Sequence, residues 1–188
     1  FGQDGSFSWE DLSARYQAEL ANGFGNLASR ATAMIERYFE GIVPAPSTYL
    51  DGDLAIQRTV ADAVTAADAA IERFRIDEAI TAIWTIVDAL NGYITDNEPW
   101  VLAKDDAQRE RLGTVLYTAA EGLRALAVLL SPVMPVATEK LWIALGAAET
   151  LGRLQDQPIR EAGAWGILTS GTSVNGLAPL FPRVEQSV

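Results

Sequence analysis

From Ser8 onward, apolar side chains recur three or four residues apart: Trp9, Leu12, Tyr16, Leu20, Phe24, Leu27, Ala31, then Met34 or Ile35, and Tyr38. This is the repeat of a helix with one apolar stripe. Ser8 with Asp11 three residues later resembles a capping box, and Glu10 and Asp11 suit the positive helix end. Gly41, with Pro44 and Pro46 beyond it, predicts the stop. Gly23 and Gly25 each weaken the middle by up to about 1 kcal/mol relative to Ala, so something other than propensity holds them there.

The same spacing predicts a second helix over 53–74 and a third over 77–95. Pro99 suits the first turn of a short piece over 99–104. Asp105 and Asp106 are capping candidates for a helix running to Leu130, which Ser131-Pro132 breaks. Further helices are expected over 136–145 and, for a turn or two, 147–154. From Gln155 the chain carries Gly, Pro and scattered apolar residues such as Trp165, Ile167 and Phe181. The expected fold is all-α, a bundle of about five main helices with an irregular C-terminal tail packed on it. The expected organisation is a joining segment over 1–7, the bundle over 8–154 and the tail over 155–188.

Composition narrows the chemistry. The chain has 188 residues, 49% of them apolar, enough to fill a core. Its net charge is −11, which argues against holding duplex nucleic acid, DNA included, by phosphate neutralisation. It has neither cysteine nor histidine, which excludes disulfides, thiolate sites, cysteine nucleophiles and every Ser-His-Asp arrangement. The polar, acidic N-terminus is unlike a signal peptide. The longest uncharged apolar stretch, 125–138, contains two prolines and falls short of the roughly 20 residues a membrane span needs. A cytoplasmic protein without a membrane partner is expected, and a first residue that is Phe suggests a piece of something longer.

Two glycine patterns carry no weight. Gly23 to Ala28 fits G-x-G-x-x-A, but that pattern binds dinucleotides only between a strand and a helix, and here it lies inside a helical stripe. No phosphate-binding G-x-x-x-x-G-K exists. Acid pairs such as Asp105 and Asp106 read as surface caps, and nothing in the chain specifies catalysis or a metal site.

Two polar features stand out. Asn22, Asn26 and Arg30 are four apart, on one face of a helix. Two amides and a forked cation suit base edges, although spacing alone equally describes a solvated face or amides tied to a neighbouring helix. Asn97-Glu98-Pro99-Trp100 presents a tryptophan on a proline-started turn. Unpaired bases stack on such rings, but a core anchor, the reading given to Trp84 and Trp142, explains a tryptophan as simply.

Taken together, the segments Asn22-Gly-Phe-Gly-Asn26-Leu-Ala-Ser-Arg30, Asn91-Gly-Tyr-Ile94, Pro99-Trp100-Val-Leu-Ala-Lys104, Leu130-Ser-Pro-Val-Met-Pro135 and Pro179-Leu-Phe-Pro-Arg183 resemble the C-terminal anticodon-binding domain of methionyl-tRNA synthetases. They come in that family's order and spacing, over about Gly5 to Val184. The leading Asp-Gly-Ser-Phe-Ser resembles the segment joining this domain to the catalytic one.

The resemblance implies a parent enzyme that joins methionine to tRNA(Met) with ATP and Mg²⁺ in an N-terminal domain marked by HIGH and KMSKS signatures. Neither signature is present, so this chain is expected to hold no cofactor and to do no chemistry. Its implied partners are the anticodon loop of tRNA(Met) and that catalytic domain. By the same resemblance Trp100 stacks on an anticodon base, Asn26 and Arg30 hydrogen-bond to the first nucleotides, and Asn22 and Pro99 shape the pocket, with Asn97 beside them. Residues 76–110 hold eight acids and two bases, so binding near Trp100 is expected from stacking and base edges rather than from phosphates. The rival expectations are the corresponding domain of an isoleucine, valine, leucine or cysteine synthetase, a helical protein-interaction module, and a stand-alone enzyme.

Overall fold

A computed structural model describes residues 8–182. The joining segment expected over 1–7 and residues 183–188 lie outside the described residues. The first long helix is continuous but not uniform. It opens as α1 (Trp9–Arg15), passes through a π-helical stretch (Tyr16–Gly25), and continues as α2 (Asn26–Phe39). Ser8 Oγ accepts from Asp11 N–H at 3.0 Å, one half of the predicted box. Asn26 N–H reaches back to Ala21 O, five residues away, as a π ladder requires.

This ladder accounts for the glycines. A Cβ on Gly25 would stand 3.0 Å from Leu20 O and 3.1 Å from the Phe181 ring. One on Gly23 would stand 3.3 Å from Ala18 O. Small residues are required where the ladder and the tail press together.

Next come α3 (Asp51–Glu72) and α4 (Ile76–Asn97), an antiparallel pair joined by a tight turn with Phe74 in the left-handed region. The short α5 (Pro99–Leu102) follows, then a 3-10 turn (Asp106–Gln108) whose Ala107 N–H is capped by the Asp105 side chain. Helix α6 (Arg109–Leu130) is buried on every side from Leu112 to Leu130, which is why its apolar residues show no single stripe. It is long and apolar enough to cross a membrane, yet its apolar stretch is enclosed by protein and forms the core of this bundle. Helices α7 (Pro135–Ala144) and α8 (Ala147–Leu151) close the end, and Trp142 is fully buried there. Trp84 is only partly buried, edge-on to Phe24 at 6.4 Å.

The tail is fastened by polar groups as much as by apolar ones. Glu121 and Arg124 are buried in the middle of α6 and pair at 2.9 Å. Glu121 accepts from the Ile167 and Leu168 N–H groups at 3.0 and 2.9 Å. Arg124 donates to Ala162 O and Ala164 O at 2.8 and 2.9 Å. The Tyr117 hydroxyl adds a bond to Leu168 O at 2.8 Å. Farther on, residues 171–174 run beside 41–43, with one isolated antiparallel bridge between Ile42 and Ser173, and no strand forms among the described residues. Finally Phe181 packs on Phe24 and Tyr16, and the Tyr16 hydroxyl donates to Pro182 O at 3.0 Å.

Candidate nucleic-acid interface

The two polar features of the sequence meet in space. Arg30 lies on α2 and Trp100 is the second residue of α5. The Arg30 guanidinium carbon stands 5.7 Å from the centroid of the Trp100 ring. At an exposed site such a contact contributes about 0.5–1 kcal/mol. It orients the fork while leaving it unpaired, since Arg30 makes no ion pair among the described residues. Trp100 remains 37% exposed, so part of the ring is open to a stacking partner.

Local sequence explains how the ring is presented. Helix α4 ends at Asn97, and Glu98 takes the left-handed conformation (φ 42°, ψ 59°). Its N–H bonds to Ile94 O at 3.2 Å, closing α4. Its carbonyl accepts from Val101 and Leu102 at 2.7 and 3.2 Å, opening α5. Pro99 is buried at the first position of α5, where no N–H is needed. A left-handed residue other than Gly costs about 1–2 kcal/mol, so the surroundings must hold it.

A buried network does so. Asn97 Nδ2 donates to Tyr93 O at 2.9 Å, and Asn97 Oδ1 accepts from Arg111 Nη2 at 2.6 Å. The Arg111 fork grips the Asp53 carboxylate at 2.6 and 2.9 Å. The Tyr93 hydroxyl donates to the same carboxylate, and Leu50 N–H donates at 2.7 Å. Burial alone pushes the Asp53 carboxyl up, but the hydrogen bonds from Arg111, Tyr93 and Leu50 outweigh it and hold it below the ordinary carboxylate value. Burial, with Asp53 alongside, pushes the Tyr93 phenol up. The network ties α3, α4 and α6 together directly under the turn that carries Trp100.

Of the six residues singled out by sequence, Arg30 and Trp100 are therefore in contact, while Pro99 and Asn97 lie behind them. The Asn97 carboxamide is largely committed to the fold and supports the turn. Asn22 and Asn26 are exposed and line a groove of about 740 Å³ with Ser29, Pro179, Phe181 and Pro182. The step from Asn26 to Arg30 is about one α-helical turn. The step from Asn22 to Asn26 lies in the π stretch, where four residues fall short of a turn, so Asn22 is offset from the line of the other two. Asp53, Tyr93 and Arg111 are not singled out by sequence. The legible signal is Asp53 at the third position of a helix, beside apolar residues that leave an acid in need of a cation.

A family model described as the anticodon-binding domain of tRNA ligase matches residues 53–171. Over 99% of its length the chain is 52% identical to the methionine–tRNA ligase of Streptomyces coelicolor, of which it covers 35%. It is 35% identical to that of Thermotoga maritima, covering 98% of this chain and 28% of that protein. The crystal structure of free Mycobacterium tuberculosis methionyl-tRNA synthetase superimposes with a TM-score of 0.85 at 32% identity, covering all of this chain and 37% of that one. The chain spans about a third of the length of these relatives. With the helical bundle, the paired arginine and tryptophan and this match over most of the sequence, the chain belongs to the family of anticodon-binding domains of tRNA ligases.

Proposed function

We propose that this chain reads the CAU anticodon of tRNA(Met) as the recognition part of a methionine–tRNA ligase. The observation that carries the reading is the Arg30 guanidinium held at the face of the half-open Trp100 ring. A base splayed from the loop stacks on Trp100, a contact that contributes about 1–3 kcal/mol. The Arg30 fork and the Asn26 amide then hydrogen-bond to base edges, chiefly of the first anticodon position. Asn22, Pro99 and Asn97 shape and support the pocket. Acids around the Trp100 turn, among them Asp96 and Glu98, discourage phosphates there, which selects for unstacked bases over a helical backbone.

In this reading residues 1–7 join a catalytic part, 8–154 form the reading bundle and 155–188 the tail packed on it. The whole protein charges tRNA with methionine in the cytoplasm, and ATP and Mg²⁺ serve that catalytic part. Anticodon contacts add binding energy that is realised when the acceptor end reaches the distant active site. Most backbone affinity comes from the rest of the protein, so the isolated chain binds anticodon RNA weakly.

The test is Trp100→Ala in the full-length protein. Aminoacylation of tRNA(Met) is expected to fall by about 5- to 150-fold, the equivalent of a lost stack, while methionyl-adenylate formation is unchanged. Equal loss in both assays would make Trp100 a structural residue and end the proposal. Offering tRNAs for isoleucine, valine, leucine and cysteine in parallel distinguishes the related synthetases.

A further inference from the structure

Arginines in this chain fall into two groups. Among the described residues, the ones that make no ion pair are Arg30, Arg37, Arg58 and Arg109, and every other is salt-bridged. Arg30 is half-buried and the other three are exposed, in a protein whose net charge of −11 leaves acids in excess. Three of the four share a further property: each lies over an aromatic ring. Arg30 stands over Trp100 at 5.7 Å, Arg37 over Tyr38 at 5.6 Å and Arg109 over Phe39 at 4.7 Å.

The three also lie in sequence along one surface. Arg37 is seven residues beyond Arg30 on α2, nearly two full turns, so it faces the same way about 10 Å farther along. Arg109 opens α6 beside the end of α2, and its guanidinium also reaches Tyr38 O at 3.5 Å. Stacking on a ring fixes the plane of a guanidinium while leaving its edge free to donate, and a planar fork with free N–H groups matches a phosphate.

We propose that Arg37 and Arg109 form a phosphate track that continues from the Trp100–Arg30 site and holds the backbone of the RNA strand leaving it. This rests on the anticodon-reading assignment and adds a separate element to it: the bases are read at Trp100 and Arg30, and the backbone is gripped by two ring-stacked cations that no acid pairs among the described residues. Such contacts position the strand and carry no sequence information.

The experiment measures binding of a tRNA(Met) anticodon stem-loop to the full-length protein over a series of salt concentrations. It compares the wild type with Arg37→Gln, Arg109→Gln and the double variant. Arg58→Gln, on α3, serves as a control with the same charge change. Each track substitution is expected to weaken CAU and altered loops by the same factor and to reduce the slope of log affinity against log salt by about 0.7–0.9. Arg37→Lys and Arg109→Lys are expected to restore most of the slope. An unchanged slope in the double variant overturns the track, as does an equal change from Arg58→Gln. If the wild type shows no preference for CAU, the reading of the Trp100 site fails instead. If the preference is intact and the slope unmoved, only the track fails.

Discussion

Helix α6 carries two arginine–carboxylate pairs, and they do different work. Glu121–Arg124 lies within one helix, and both partners give their remaining hydrogen bonds to the backbone of 162–168. Arg111–Asp53 joins two helices, and its remaining bonds go to the side chains of Asn97 and Tyr93, beneath the Trp100 turn, and to the Leu50 N–H. The first pair gives a segment without secondary structure the partners that helices and strands find among themselves. The second fixes the turn that carries a half-open ring. A buried ion pair adds little net stability over an apolar substitute, so its worth lies in what its spare donors and acceptors specify.

Breaking the pairs one at a time separates these roles. The largest effect is expected from Glu121→Ala, which strands Arg124 in the core. A loss of about 3–5 kcal/mol is expected, seen as a fall in Tm of roughly 6–20 °C. At temperatures where the variant is folded, its preference for CAU over an altered loop should be that of the wild type.

Arg111→Met should be milder in stability, because the stranded Asp53 keeps its hydrogen bonds from Tyr93 and Leu50, costing about 2–3 kcal/mol. It should differ in kind: the preference for CAU is expected to fall while helical circular dichroism at low temperature is retained. If the two variants alter RNA selectivity equally, the division of labour is wrong.

Acid titration gives a smaller and more specific effect. The Asp53 carboxyl is lowered in the folded state relative to its ordinary value of 3.8. Its contribution is thus complete above that value and is lost as pH falls below 3.8 through the lowered folded value. Asp53→Asn should flatten this part of the stability curve, measured by chemical denaturation between neutral and acid pH. Smallest of all is Gly92→Ala. Gly92 is exposed in the middle of α4, and an added methyl would point into open space, so alanine should add about 0.5–1 kcal/mol. Selectivity should not follow the rise in Tm.

The helices were legible because their apolar spacing is regular. Sequence places starts and stops within a few residues, as for the third helix, expected over 77–95 and found as Ile76–Asn97. The π stretch was not legible, because a stripe of threes and fours looks the same with one ladder bond lengthened. Only the two glycines signalled it. Arg30 and Trp100 were found as separate features, and contact between residues seventy apart is not written in either. The supporting network was missed because Asp53 reads as a helix starter and Arg111 as an exposed charge. Glu121 and Arg124 are not singled out by sequence either, although opposite charges three apart inside an otherwise apolar helix need each other.

The π stretch also has a genetic consequence. A helix advances about 100° per residue, so removing one residue normally rotates everything before it relative to everything after. Between Tyr16 and Gly25 the ladder already holds slack, and a single deletion there can be absorbed by reverting to α-helical bonds. The same deletion in α2 between Leu27 and Ser29 has no such reserve and would swing Asn26 off the line of Arg30. Chain-length variation in this first long helix should therefore be tolerated upstream of Asn26 and punished downstream of it.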